Sequence, residues 1–95
     1  MEGNIEETDL INNEAGSRFE LTIDGHTAFV DYETTPVLTL THTEVPEALE
    51  GKGIGKILAA KVFAYLQTTG KKAKVLCPFL AAYLKRHPEW QHIAI

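Results

Sequence analysis

The stretch LEGKGIGKIL, residues 49–58, places three glycines within five positions and then runs into a helical pattern of apolar residues. Two explanations fit so many glycines at the start of a helix. Glycine permits a sharp bend that needs no ligand. Glycine also lets a phosphate approach the unpaired N–H groups of a helix N-terminus, and Lys52 and Lys56 would add positive charge there. The stretch alone leaves both open.

Downstream of the glycines, apolar residues at helical spacing predict a helix over residues 54–69 that ends at Gly70. The apolar segment 73–77 predicts a short buried strand, and a second helix is expected over residues 79–87, with Pro78 in its first turn. The last six residues are too short for an assignment, although a terminal strand fits them.

Upstream of the glycines, apolar and polar residues alternate from Arg18 onward, which predicts strands. Asp24-Gly25 predicts a tight hairpin turn, because both residues tolerate positive φ. A second strand is expected over residues 26–33 and a third over 37–45. Strict alternation in the third strand puts four side chains on one face, namely Leu38, Leu40, His42 and Glu44.

The order of elements is therefore β-β-β-α-β-α. A helix joins the third and fourth strands, so these two should be parallel with a right-handed crossover. The sequence predicts an α+β fold, a mostly antiparallel sheet with one parallel βαβ unit and two helices. Residues 17–95 form the expected single domain, and the acidic residues 1–16 are expected to be a flexible tail that the fold does not need.

Charge is unevenly distributed along the chain, whose formal net charge is −4. Residues 1–16 contain five acids and no Lys or Arg, whereas residues 51–88 contain eight Lys or Arg and no acid. This basic half suits a small anionic ligand, although solvated lysines explain it equally well. The sequence pI near 5.5 argues against nucleic-acid binding.

The remaining composition points to a soluble cytoplasmic protein. The single cysteine excludes an internal disulfide, no apolar run reaches membrane-spanning length, and no signal peptide is evident. The histidines and the cysteine lack the spacing of a zinc site, so no metal is expected. We expect a monomer or a weak dimer.

Two familiar phosphate-binding loops do not match. A P-loop needs four residues between its glycines, but Gly51 and Gly55 are separated by three, and Ile57 stands where Ser or Thr is required. The dinucleotide fingerprint needs a third glycine where the chain has Lys56 or Leu58.

A third loop type fits better. Gly53 and Gly55 match the two small positions of the acetyl-CoA loop of GNAT-type N-acetyltransferases, although Glu50 stands where that loop carries Gln or Arg. Together with HTEVP (42–46), CPF (77–79) and HPEW (87–90), residues 18–91 resemble a group of short GNAT-like proteins, the N-acetyltransferase domain-containing protein 1 group. The resemblance implies a minimal core without the usual N-terminal helices and C-terminal strand pair, and a splay between the third and fourth strands that admits acetyl-CoA.

The resemblance implies a set of cofactor-binding positions around the glycines and the CPF motif. They are Val45, Glu50, Gly51, Lys52, Gly53, Ile54, Gly55, Lys56, Cys77, Pro78, Phe79, Tyr83 and Arg86.

Four residues are candidates for catalysis. Glu44 or His42, at the end of the third strand, can act as a base for the amine. The resemblance implies that Tyr83 protonates the departing thiolate. Cys77 precedes a helix whose dipole can lower its pKa, so it is a candidate nucleophile. Packing or a surface position explains each of the four residues as well.

The leading expectation is an acetyl-CoA-dependent N-acetyltransferase that acts on an unidentified amine. The alternative is a module that binds acetyl-CoA with little or no turnover, because the elements that form the acceptor walls are missing. A small interaction domain whose glycine turn holds no ligand is the third possibility.

Overall fold

The computed structural model describes residues 8–95, which form one five-stranded mixed sheet and two α-helices. The strands, in spatial as well as chain order, are β1 (Ile11–Asn13), β2 (Arg18–Ile23), β3 (His26–Glu33), β4 (Thr39–Glu44) and β5 (Lys74–Val75); the helices are α1 (Ile54–Thr68) and α2 (Pro78–Arg86), and shorter 3₁₀ helices span Glu47–Leu49 and Pro88–Ile93. Neighbouring strands are antiparallel except β4 and β5, which are parallel. The predicted fold class is confirmed.

The hairpin between β2 and β3 turns at Asp24 and Gly25, whose φ angles are 53° and 79°. Ile23 therefore pairs directly with His26, and the register runs without interruption to Arg18 and Asp31. Two consecutive positive φ angles are the mark of a turn that matches strand twist. The hairpin predicted at Asp24-Gly25 is confirmed.

One face of the sheet carries the hydrophobic core. Alternate residues of β2 and β3 are buried, and they form a single cluster with buried residues of both helices. The members from the sheet include Phe19, Leu21, Ile23, Ala28, Val30, Tyr32 and Leu40, and those from α1 include Ile54, Leu58, Val62, Phe63 and Leu66. The opposite face presents charged and polar residues such as Glu20 and Asp31, none of which is buried. The fold is thus a two-layer sandwich, with helices on one side of the sheet.

A β-bulge in β4 changes which side chains face the core. Tyr32 of β3 pairs with Leu40, but the preceding residue, Asp31, pairs with His42, so Thr41 is an extra residue in β4. An extra residue reverses the alternation beyond it. Leu40 is buried, whereas His42 is exposed and Thr43 takes the inward position. The prediction that Leu40 and His42 share one face is therefore wrong.

β1 lies inside the segment that the sequence predicted to be a tail. Ile11–Asn13 pairs with β2, and the Asn12 side chain bonds to the hydroxyls of Tyr32 at 2.6 Å and Tyr65 at 3.3 Å. The predicted tail is thus wrong for this strand, and residues 1–7 lie outside the described residues. At the other end, Ala73 forms a parallel bridge with Ala94 beyond the 3₁₀ helix.

Removing β1 is expected to destabilise the protein. A chain that starts at Ser17 loses the β1–β2 pairing and both Asn12 hydrogen bonds. Each such bond contributes about 1 kcal/mol, so loss of the two Asn12 bonds alone is expected to lower Tm by roughly 8–16 °C. A chain that starts at Thr8 keeps β1 and is the matched reference. Equal melting temperatures for the chains that start at Thr8 and at Ser17 in calorimetry would contradict a structural role for β1.

Candidate active site

The two parallel strands part soon after they meet. β4 and β5 pair only through Thr39 with Lys74 and Leu40 with Val75. The N–H groups of Leu76 and Cys77 then both donate to the Leu40 carbonyl oxygen, at 3.0 Å and 3.2 Å. Within the described part of the chain, no strand pairs with this edge of β4 beyond Leu40. Beyond this point β4 and β5 are no longer paired, and we call this separation the splay.

A cleft of about 240 Å³ lies at the same end of the sheet. It is bounded by the residue that follows β4, the glycine loop, and the first turn of α2. The residues that line it are Val45, Leu49, Glu50, Gly51, Gly53, Ile54, Gly55, Lys56 and Phe79. All of these except Leu49 are among the cofactor-binding positions predicted from the sequence. Leu49 is 1% exposed and ties the loop to the core. Its place as the one large apolar side chain in residues 46–53 could have signalled this role.

The three glycines of the loop serve different geometric needs. Gly51 and Gly53 have φ angles of 82° and 72°, the left-handed region in which other residues are strained. A Cβ on either would meet no heavy atom within 4 Å, so their surroundings are open. Gly55 is different, because a Cβ there would lie 2.9 Å from Cζ of Phe79. The loop therefore contains a bend and also leaves open space at the helix start.

The N-terminus of α1 is electrostatically suited to an anion. Its first turn contains no acidic side chain, and no side chain of residues 8–95 caps the N–H groups at Gly53. Unpaired N–H groups and the helix dipole create a partial positive charge at such a terminus. Lys56 lies on the wall of the cleft and adds a full charge.

Cys77 and Thr43 meet on the core side of the splay. Cys77 is the N-cap residue of α2 and is only 3% exposed. Its Sγ lies 3.3 Å from Oγ1 of Thr43, so the two groups share a hydrogen bond. The sequence did not predict a role for Thr43, because strict alternation placed it on the opposite face.

Glu44 and His42 lie on the other face of the sheet. His42 Nε2 is 3.0 Å from Glu44 Oε1, and both side chains are more than half exposed. The splay runs along the edge of the strand that carries them. A group held in the splay is thus bordered by Cys77 and Thr43 on one face and by Glu44 on the other.

Tyr83 lies away from the cleft, in the packing between α2 and the rest of the core. Its ring stacks on Phe63 at 6.0 Å and on His87 at 4.1 Å. Burial raises the pKa of its hydroxyl, a hydrogen bond with Trp90 opposes the rise, and Glu89 adds to it. The hydroxyl stays protonated at neutral pH, but this placement favours a packing role over the predicted proton donation.

Three other predicted positions do not line the cleft. Lys52 is exposed on the glycine loop, and Pro78 is the first residue of α2. Arg86 is in the last turn of α2, eight residues further along, or about 12 Å at the rise of a helix.

Residues 8–95 contain neither a metal-binding cluster nor a membrane-spanning helix. No group of three or more His, Cys, Asp or Glu is placed to hold a metal ion in residues 8–95. Within the same range, no helix combines the length and the apolar character that a membrane crossing requires.

Comparison with known families identifies the class of protein. The family model of GCN5-related N-acetyl-transferase matches residues 18–93. This match includes β2 to β5, both α-helices, the glycine loop and the splay. The chain belongs to the GCN5-related N-acetyltransferase family.

Individual relatives show which members of this family the chain is similar to. The chain is 33% identical over 63 residues to Protein NATD1 of Homo sapiens and of Gallus gallus, and 32% identical to Protein NATD1 of Danio rerio. Each alignment covers 66% of this chain, and the aligned part spans 56% of the human protein and 57% of the other two. The chain thus matches a little over half the length of these relatives.

Proposed function

We propose that this protein is an acetyl-CoA-dependent N-acetyltransferase that acetylates an amine. The observation that carries the proposal is the splay between β4 and β5, which opens at the same end of the sheet as the glycine cleft. Family membership supports the same reaction class. The amine substrate is left open.

Different residues are suited to different parts of acetyl-CoA. The uncapped N-terminus of α1 and Lys56 are suited to the CoA phosphates. The unpaired edge of β4 beyond Leu40 offers backbone groups for the amides of the pantetheine arm. Acetyl-CoA, when bound, supplies an activated acetyl group as a thioester.

Two routes of transfer fit the residues at the splay. In direct transfer, the amine nitrogen would bond to the acetyl carbonyl carbon and give a proton to Glu44, which has His42 beside it at 3.0 Å; the C–S bond would break, and the proton would pass to the CoA sulfur, which leaves as a thiol. In the covalent route, Cys77 Sγ would bond to that carbon first while its proton leaves with CoA as a thiol, and the amine would then displace Cys77, which regains a proton from the amine. We favour direct transfer, because it needs only alignment and a base, and because Cys77 is 3% exposed.

The proposal is tested by calorimetry with acetyl-CoA, followed by assay of thiol release with a panel of amines. Binding and amine-dependent thiol release are expected. Binding without release would favour the alternative, a module that binds CoA without turnover. This alternative is the main competitor because, in residues 8–95, no element covers the outer face of the sheet to form a wall for the acceptor. Absence of binding would overturn both and leave a glycine turn without a ligand.

Affinity for acetyl-CoA is expected to fall as salt rises, because CoA is a polyanion and ions screen exposed charges. Lys56→Gln should weaken binding about two- to fivefold at low salt and flatten the salt dependence. Lys72→Gln is the matched control, since Lys72 is an exposed lysine that lies outside the cleft. Calorimetry between low and physiological ionic strength measures both effects; salt-independent binding would argue for a mainly apolar site.

A further inference from the structure

The departing sulfur of CoA needs a hydrogen-bond donor that the sequence did not identify. Tyr83, the residue expected to protonate this sulfur, packs against Phe63 and His87 and does not line the cleft. Cleavage of a C–S bond is faster when a fixed donor stabilises the negative charge that develops on sulfur. The splay is where the thioester is proposed to lie, so its walls are the place to look for such a donor.

Thr43 lies on the part of β4 that is proposed to hold the pantetheine arm. This unpaired edge begins after Leu40, where the splay closes, and ends at Val45, which lines the cleft. At about 3.3 Å per residue the edge is roughly 15 Å long, and the sulfur, remote from the phosphates, would lie toward its closed end. Thr43 presents its hydroxyl to the core side of this edge, whereas the Thr41 hydroxyl donates to the Asp31 carbonyl oxygen at 3.2 Å.

The hydrogen bond between Thr43 and Cys77 leaves one hydrogen to spare. Thr43 Oγ1 and Cys77 Sγ are 3.3 Å apart, and neither atom has another hydrogen-bond partner within residues 8–95. The pair carries two hydrogens, O–H and S–H, and its mutual bond uses one of them. A thiol is a weak donor and a hydroxyl a good one. An anionic sulfur in the splay therefore favours the arrangement in which Cys77 donates to Thr43 and Thr43 donates to the ligand.

The bulge at Thr41 places this donor and the proposed base on opposite faces of the sheet. Consecutive residues of a strand point to opposite faces, so beyond the bulge Thr43 is directed inward and Glu44 outward. A thioester at the edge of β4 would then have the base on the face from which the amine arrives and the donor on the other face. The two groups would act on different atoms of the same thioester.

We propose that the Thr43 hydroxyl donates a hydrogen bond to the sulfur of the departing CoA and that Cys77 orients this hydroxyl. The inference rests on the proposed acetyl-CoA site. Thr43 stabilises charge and neither gains nor loses a proton, since the proton that CoA finally carries comes from the amine by way of Glu44. Thr43 would thus take over part of the role that the resemblance gave to Tyr83.

The ionisation of bound CoA provides a test that needs no turnover. A thiolate absorbs ultraviolet light, so the thiol of CoA can be titrated with pH in the complex, and the complex with desulfo-CoA, which lacks the sulfur, supplies the background. A donor to the thiolate lowers the pKa of the thiol. Thr43→Val should therefore raise this pKa by about 1 relative to the wild type. Thr43→Ser keeps the hydroxyl and should keep the wild-type value.

Kinetics provides the second readout. Thr43→Val should lower kcat for acetyl transfer about 10- to 100-fold and leave acetyl-CoA affinity unchanged, and Thr43→Ser should restore most of the rate. Cys77→Ala removes only the group that orients the hydroxyl, so it should retain much of its activity. Thr27→Val is the matched control, because it makes the same change on β3, where the Thr27 hydroxyl bonds to Thr22 at 2.8 Å.

The outcomes distinguish this inference from the proposed function. A thiol pKa or a kcat in Thr43→Val equal to that of the wild type would overturn the inference, as would a Thr43→Ser variant that is as impaired as Thr43→Val. If Thr43→Val fails to fold, Thr43→Ala takes its place with the same expected results. Absence of CoA binding in the wild type would overturn the proposed function and this inference with it. If the wild type binds CoA without turnover, the pKa result alone decides.

Discussion

Glu44→Gln is expected to slow acetyl transfer by about 10²–10⁴-fold, the range assigned to a positioned general base. The amide keeps the size of the carboxylate but cannot take a proton from the amine. Glu44 is more than half exposed, so the change should leave folding and acetyl-CoA affinity intact. The measurements are thiol-release kinetics and calorimetry on the same preparation. Unchanged turnover in Glu44→Gln would remove Glu44 from the mechanism.

Cys77→Ala is the contrasting variant, and direct transfer predicts that it retains much of its activity. The covalent route predicts the reverse, together with an acetyl adduct on Cys77. An adduct alone does not distinguish the covalent route from direct transfer, because a thiol near a thioester can become acetylated in a side reaction. The deciding result is kinetic. An adduct that forms and decays at least as fast as turnover, with Cys77→Ala inactive but still able to bind CoA, would overturn direct transfer.

Gly53→Val is expected to weaken acetyl-CoA binding by more than about tenfold. The valine side chain would project from the loop into the open space of the cleft, where the phosphate is proposed to bind. Each N–H bond to a charged group that is lost in this way costs about 1.5–3 kcal/mol. Calorimetry with acetyl-CoA measures the effect.

Backbone strain needs its own control, because a residue with a side chain at positive φ costs about 1–2 kcal/mol. Gly70 provides that control. Its φ is also 72°, a Cβ there would also meet nothing within 4 Å, and it lies at the other end of α1. Gly70→Val should lose similar stability but keep its CoA affinity. Equal loss of affinity in both variants would attribute the effect to folding, and wild-type affinity in a folded Gly53→Val would place the site elsewhere.

Local patterns in the sequence were sufficient for much of the fold. The Asp24-Gly25 turn, the span of β3 and the start of α1 at Ile54 all follow from residues within a few positions of one another. The glycine cleft was also foreseeable, because the loop that forms most of it is continuous in the sequence. Such features depend on backbone preferences that each residue carries with it.

Features set by distant contacts were not predictable. The bulge at Thr41 has no signature, since threonines on both sides of His42 give no apolar residue to fix the alternation. β1 is three residues long, and its Asn12 bonds to residues 20 and 53 positions away. Consequently, the sequence placed His42 on the wrong face and overlooked Thr43 and β1.

The shape of the glycine loop is set by contacts and backbone angles within the chain. Positive φ angles at Gly51 and Gly53 and the buried side chain of Leu49 hold it in place. A loop that is ordered during folding would not lose this entropy again on binding the proposed anion. We therefore expect association at this cleft to be a single bimolecular step, with a rate that is linear in ligand concentration and free of a slow isomerisation phase.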